Sequence, residues 1–307
     1  MKISVQSQNL VDDIGAVKAY AAIAKAGFQA IDWNIDHALT PAQITSGESL
    51  EDKCVFEKSL EEITAYYQEE LDEIHRNSLE ITQAHAPFPA YIPGREDVLD
   101  YMIGIYKKMI LFCDSVGCKN LIVHGISLGK HNNVDDPVRI RELNHKLYTS
   151  LIPELRQTNV TVCLENLFSS DDGIMAGHCA NASEAFVEIF DLNNIAGKEC
   201  FGLCLDIGHL NLLKGDPRHY IPEMGDYIKA LHLHDNDGLS DQHNAPYTGK
   251  INWKHFCEAM NQIGYKGDLS FETFHQTSLG VIDEEMVQPW LDLIYKIGCH
   301  FKEKIEG

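Results

Sequence analysis

FGLCLD, residues 201–206, is an apolar run that ends on an acidic side chain. It reads as a β-strand buried on both faces, with a polar group at its C-terminal tip. The same shape recurs along the chain. LEITQAH ends on His85, NLIVH on His124, VTVCLE on Glu165, YIKALH on His232 and DLSFE on Glu272. Most steps between these residues are about 40 residues, the length of one strand-plus-helix unit. KISVQS and AIDWNI add two earlier strands, so eight strand signals alternate with helical sequence. Alternation implies a parallel sheet. Eight units predict an α/β fold, a TIM (β/α)8 barrel, as a single domain over residues 1–307. In such a barrel the strand ends meet at one mouth, which would gather these scattered residues in one place.

Helices are expected over residues 14–26, 56–77, 97–116, 137–157, 183–191 and 253–263, and from about residue 284. The polar stretch 36–53 is long for a connection and is expected to act as a lid or substrate loop. No Pro/Gly/Ser-rich linker divides the chain. The formal net charge is −21, which disfavours nucleic acid and anionic membrane as partners. Nine cysteines occur without a CxxC pair, so a Cys-rich zinc site is not expected. MKISVQSQ reads as a strand and not as a leader peptide, and no apolar run is long enough for a membrane span. The cytoplasm is the expected location.

Imidazole and carboxylate donors together suit zinc, manganese or iron. DIGH sets His209 three residues after Asp206, so both can face one ion. HLHD puts His232 and His234 on one side of a strand, and DQH does the same for Asp241 and His243. Each residue has an ordinary alternative: Asp206 as a helix cap, HLHD as an edge strand, a lone His as a hydrogen-bonded surface group. The joint pattern favours a divalent metal site.

QAHAPF, LIVHG, CLEN, LDIGH, ALHLHDNDG, DQH, TGKINW and SFET, in this order, resemble the xylose isomerase-like barrel superfamily. That group includes sugar and sugar-phosphate isomerases and epimerases and the endonuclease IV (apurinic-site) nucleases. The resemblance implies metal ligands at His85, His124, Glu165, Asp206, His209, His232, Asp241, His243 and Glu272, the set that holds three zinc ions in endonuclease IV. Four of them, Glu165, Asp206, His232 and Glu272, match the single-metal ketose epimerases. The implied activity is isomerisation or epimerisation of a sugar or sugar phosphate through a metal-stabilised enediolate. Glu165 and Glu272 would be the catalytic acid and base. The alternative is multi-zinc phosphoester hydrolysis, and a barrel that only binds a small ligand is a third reading. The loop APFPAYIPG after His85 is closer to sugar epimerases than to a DNA-intercalating loop. NDGLSDQH lacks the Arg that free-ketose 3-epimerases carry after this strand.

Trp33, His37, Phe88, His234 and Lys250 are assigned to substrate binding. His131, His178 and His275 are weighed for the same role, and Tyr91 and Phe168 as pocket lining. His75, His145, His219, His255 and His300 fall in helical stretches and read as surface residues. A carbohydrate is the expected small-molecule partner, and a homo-oligomer is within expectation.

Overall fold

The strands owe their inclination to β-branched and aromatic residues, and each is punctuated by polar or glycine-bearing sequence. The structure is a computed structural model that describes residues 1–127, 136–170 and 173–307. Eight parallel strands form its core: β1 Ile3–Gln6, β2 Ala30–Asn34, β3 Glu80–His85, β4 Asn120–Ile122, β5 Thr161–Glu165, β6 Phe201–Asp206, β7 Ile228–His232 and β8 Leu269–Phe271. Pairing runs β8-β1-β2-β3-β4-β5-β6-β7. A bridge between Leu233 and Phe271 closes the circle. Leu233 N–H donates to the Ser270 carbonyl at 2.9 Å, and Glu272 N–H to the Leu233 carbonyl at 3.1 Å. The predicted TIM barrel is therefore observed.

Helices follow the expected segments with finer breaks. The 56–77 stretch divides into Leu60–Tyr66 and Gln68–Arg76, and the 137–157 stretch into Pro137–Thr149 and Ile152–Gln157. Glu96–Ser115, Ala182–Ala196, Trp253–Gln262 and Val287–Glu306 complete the long outer helices. The helix Ala16–Ala26 stops at Gly27, whose φ of 109° and close approach to the Tyr295 ring leave no room for a Cβ. Among the described residues no helix is long and apolar enough to cross a membrane.

Period-two alternation separates two interiors. Ile3, Val5, Ile31, Trp33, Leu121, Val162, Leu164, Leu203, Leu205, Leu231, Leu269 and Phe271 belong to the large apolar core under the helices. Ile122, Cys163, Cys204 and Ala230 form a separate small cluster inside the barrel. Beside it sit the buried polar side chains of Ser4, Asp32, Gln83 and Ser270. Barrel interiors are usually filled by bulky branched residues. Here the filling is small and polar, and it grows more charged toward the C-terminal strand ends.

The 36–53 segment is not an open lid. Leu39, Ile44 and Leu50 are buried in the main core, and the short helix Pro41–Thr45 is capped by Thr40. Only its first residue, Asp36, reaches the mouth.

Candidate metal centre

The last inward position of each strand from β3 onward carries the chemistry. Glu165, at the end of β5, is the hub. Its Oε2 lies 2.8 Å from His124 Nε2 and 3.8 Å from His85 Nε2, and those two nitrogens are 3.0 Å apart. Its Oε1 lies 3.2 Å from His209 Nδ1 and 3.4 Å from His232 Nδ1. One carboxylate thus serves two neighbouring compartments. The second compartment adds Glu272 Oε2 at 3.5 Å and Asp206 Oδ2 at 3.9 Å from His232 Nδ1. The third is built by Asp206, His209, His234, Asp241 and His243. His234 Nε2 is 3.0 Å from Asp206 Oδ2, His209 Nε2 is 3.6 Å from Asp241 Oδ2, and His243 Nε2 is 3.0 Å from the same oxygen. All nine sequence-predicted ligands meet in one region.

The donors fit divalent cations. Both ring nitrogens of His232 are buried without a hydrogen bond, although Nδ1 faces three carboxylate oxygens at 3.4–3.9 Å. An imidazole carries one N–H per nitrogen and cannot serve three acceptors, whereas a cation between them can be shared by all. Buried carboxylates in this number are costly unless a positive charge accompanies them. Glu165, Asp206, His232 and Glu272 would hold one ion, His85, His124 and Glu165 a second, and His234, Asp241 and His243, with His209 beside Asp241, a third. No thiolate is needed in any of these sets, so the donors suit zinc and manganese alike.

Electrostatics separate the two glutamates. Burial disfavours charge on Glu165, but His232, His124 and His209 outweigh it and hold the carboxyl well below its usual range. Burial lifts Glu272 to about 7, with His232 opposing and Asp206 and Glu165 adding to the lift. Burial works against charge on His85, and Glu165 and Asp36 overcome it, raising the ring to about 9.

Local structure explains the placement. Asp206 does both things its sequence allowed: Oδ1 accepts from His209 N–H at 2.7 Å and caps the helix Ile207–Leu212, while Oδ2 faces the site. Gly208 is glycine because a Cβ there would lie 2.0 Å from His234 Cε1. Asn166 clamps β5 to β6, accepting from Asp206 N–H and donating to the Asp206 carbonyl, each at 2.8 Å.

Two carboxylates went unassigned in the sequence reading. Asp32 Oδ2 stands 3.3 Å from His232 Nε2 and accepts from Gln83 Nε2 at 2.7 Å. It supports the far side of a ligand imidazole. Its signal was an acid at an inward position of an otherwise apolar strand. Asp235 accepts from Asn236 N, Ile251 N, Tyr247 N and Trp253 Nε1 at 2.9–3.0 Å. It ties down the loop that carries Asp241 and His243.

A cavity of about 400 Å³ opens over the ligands, within the range for small-molecule sites. Phe88, Leu167, Phe168 and Phe274 make its apolar wall, and Gln8, Asn9, Asn34 and Asp36 a polar one. Phe88 and Phe168 line the cavity, packed against His124 and His209. Trp33 is not in the cavity: Asp32 and Asn34 face inward, so Trp33 faces outward, buried against Tyr67 and Phe112 with Nε1 on Glu70. His37 lies beside the cavity wall, its Nδ1 on the Asn34 carbonyl and its ring edge-on to Tyr67. His234 stacks on His243 at 4.0 Å and belongs with the ligands instead of the cavity wall. Lys250 is exposed, on the loop folded around Asp235, with its N–H on the Asn236 carbonyl at 2.9 Å. Tyr91 is buried with its hydroxyl toward Glu96, and His275 is exposed. His178 is away from the cavity, and His131 lies outside the described residues. His75, His145, His219 and His300 are exposed as expected, and His255 is half-buried.

An uncharacterized protein of Sinorhizobium fredii is 22% identical over 269 residues, covering 85% of this chain and 82% of that one. An uncharacterized protein of Methanocaldococcus jannaschii is 30% identical over 181 residues, covering 52% of this chain and 60% of the other. The crystal structure of D-psicose 3-epimerase with D-tagatose from Clostridium cellulolyticum H10 has the same fold. Its TM-score is 0.73 at 16% identity, with all of both chains covered. Residues 20–295 match the family described as xylose isomerase-like TIM barrel, and the chain belongs to that family.

Proposed function

We propose that this chain is a metal-dependent carbohydrate isomerase or epimerase in which Glu165 and Glu272 move a proton at carbon. The observation that carries the reading is this pair. The two carboxylates stand at the ends of β5 and β8, 3.4 and 3.5 Å from the same His232 nitrogen, and both line the cavity. Their environments push their proton affinities apart, the arrangement that suits one group to accept a proton and the other to supply one. Glu165, Asp206, His232 and Glu272 would hold a divalent ion such as zinc or manganese, which would supply Lewis acidity toward a carbonyl oxygen and its neighbouring hydroxyl. Asp32 keeps His232 oriented from behind. Phe88, Phe168 and Phe274 exclude water from the face where the proton is exchanged. Gln8, Asn9, Asn34 and Asp36 offer hydrogen-bonding partners to substrate hydroxyls.

Among the described residues the cavity wall carries no Lys or Arg, which supports an unphosphorylated sugar over a sugar phosphate. The fold shared with D-psicose 3-epimerase supports the same class. The test is incubation with ketoses in deuterated water. The wild type should incorporate deuterium next to the carbonyl, and Glu165→Gln and Glu272→Gln should each abolish it. Incorporation that persists in both variants refutes the assignment.

A second reading, metal-dependent phosphoester hydrolysis of the apurinic-site type, is favoured by one observation: the outer triads His85–His124–Glu165 and His234–Asp241–His243 each bring three donors together beside the central site. Several ions at such spacing can activate water and stabilise a leaving oxygen. Turnover of an abasic-site duplex by catalytic amounts of protein would establish it. The net charge of −21 weighs against a nucleic-acid substrate.

A further inference from the structure

We propose that His178, Cys179 and Glu188 form a separate cation site for a thiophilic divalent ion such as zinc, outside the cavity and independent of the sugar chemistry. The three donors come from the end of the β5–helix connection and from the helix Ala182–Ala196 that follows it. His178 Nε2 is 2.9 Å from Glu188 Oε2 and 3.7 Å from Cys179 Sγ, and the three donor atoms lie within 4.8 Å of one another. None of them lines the cavity.

The ring of His178 leaves this nitrogen as its one polar outlet. Nδ1 is buried without a partner, pressed toward Gly125, where a Cβ would sit 2.1 Å away. Nε2 therefore faces two partners, and one N–H can point at one of them. A hydrogen bond to Glu188 leaves the thiol unused, whereas a cation between the three satisfies all of them. Imidazole, thiolate and carboxylate are zinc donors.

The backbone independently holds the thiol in this position. Cys179 has φ +55°, a left-handed conformation that a non-glycine residue adopts at a cost. It is pinned there by the Tyr220 hydroxyl, which donates to the Cys179 carbonyl at 2.6 Å. The Ser127 hydroxyl accepts from His178 N–H at 2.9 Å. Glu188 is 30% exposed at its side chain, which gives an ion a path from solvent. Uptake at neutral pH converts the Cys179 thiol to thiolate and releases its proton to solvent. The bound ion would fix the connection that brings Phe168 over His209.

The test exploits sulfur, which the nine-residue cluster does not use. The full-length protein is stripped of metal and reconstituted with cobalt(II). A thiolate-to-cobalt charge-transfer band should appear in the wild type and persist in Cys204→Ser, the thiol nearest the barrel cluster. It should vanish in Cys179→Ser, with about one ion per chain fewer bound. A wild type without the band, a band that survives Cys179→Ser, or one lost only in Cys204→Ser overturns the proposal. A second measurement needs no variant. X-ray absorption at the zinc edge of the zinc-loaded wild type should show a sulfur neighbour at about 2.3 Å. A first shell of nitrogen and oxygen alone overturns the proposal. Both readouts are independent of any activity on sugars.

Discussion

Replacing Glu272 by Gln should make the metal-free protein more stable at alkaline pH, although it removes a metal ligand. The reason is its burial. The carboxyl rises from 4.5 to about 7 in the folded, metal-free state. Between those values the folded chain holds a proton that the unfolded chain has lost. A raised folded pKa contributes stability that is full below 4.5 and is lost as pH climbs through about 7. The displacement is worth about 3 kcal/mol in total, of which roughly 2–3 kcal/mol falls between about pH 5 and pH 8. Gln keeps the neutral shape and does not titrate. Urea unfolding of chelator-treated wild type and Glu272→Gln at the two pH values measures the difference. The stability of the variant relative to wild type should increase by roughly 2–3 kcal/mol from acid to alkaline pH. Saturating zinc should reverse the order at alkaline pH, because binding then favours the carboxylate. A gap that is independent of pH in the metal-free proteins would refute the reasoning.

Three further perturbations probe the support of the centre. Asp32→Asn removes the charge behind His232 Nε2 and should weaken binding of the central ion about 10- to 100-fold by competition with a chelating dye. Gly208→Ala drives a methyl group into His234 and should cost about 1–3 kcal/mol in urea unfolding; an unchanged midpoint would contradict the close approach. Asp235→Ala leaves four donors of the Asn236–Trp253 segment without their acceptor and should cost about 3 kcal/mol or more. Its metal content should fall by the ion of the Asp241–His243 compartment while the central ion remains.

The strand ends were legible because a charged tip on an apolar run is hard to hide, as in VTVCLE and FGLCLD. Spacing then placed them together, and the closed circle of strands brings all nine assigned ligands into one region. What sequence spacing could not resolve was direction. Trp33 and Asp32 are neighbours in AIDWNI, and the pleat sends one to the helices and the other to the metal centre. HLHD was readable as two histidines on one side of a strand. That His234 would sit among the ligands depended on its stacking against His243. Lys250 misled because its loop doubles back around Asp235, a fold-back held mostly by main-chain donors, with the Trp253 indole the one side chain among them. Asn166 was quoted within CLEN and overlooked, since its role is to clamp a neighbouring strand.

The barrel closes at a seam between β7 and β8, and the seam has few stitches. Among the described residues two amides, those of Leu233 and Glu272, make the bonds across it, each next to a residue assigned to the centre or part of one. An ion gripped by His232 on one side and Glu272 on the other would act as a clasp on that seam. The cylinder would then be fastened by the same atoms that do its chemistry. Slowed exchange of these two amide protons on metal loading would report the barrel drawing shut.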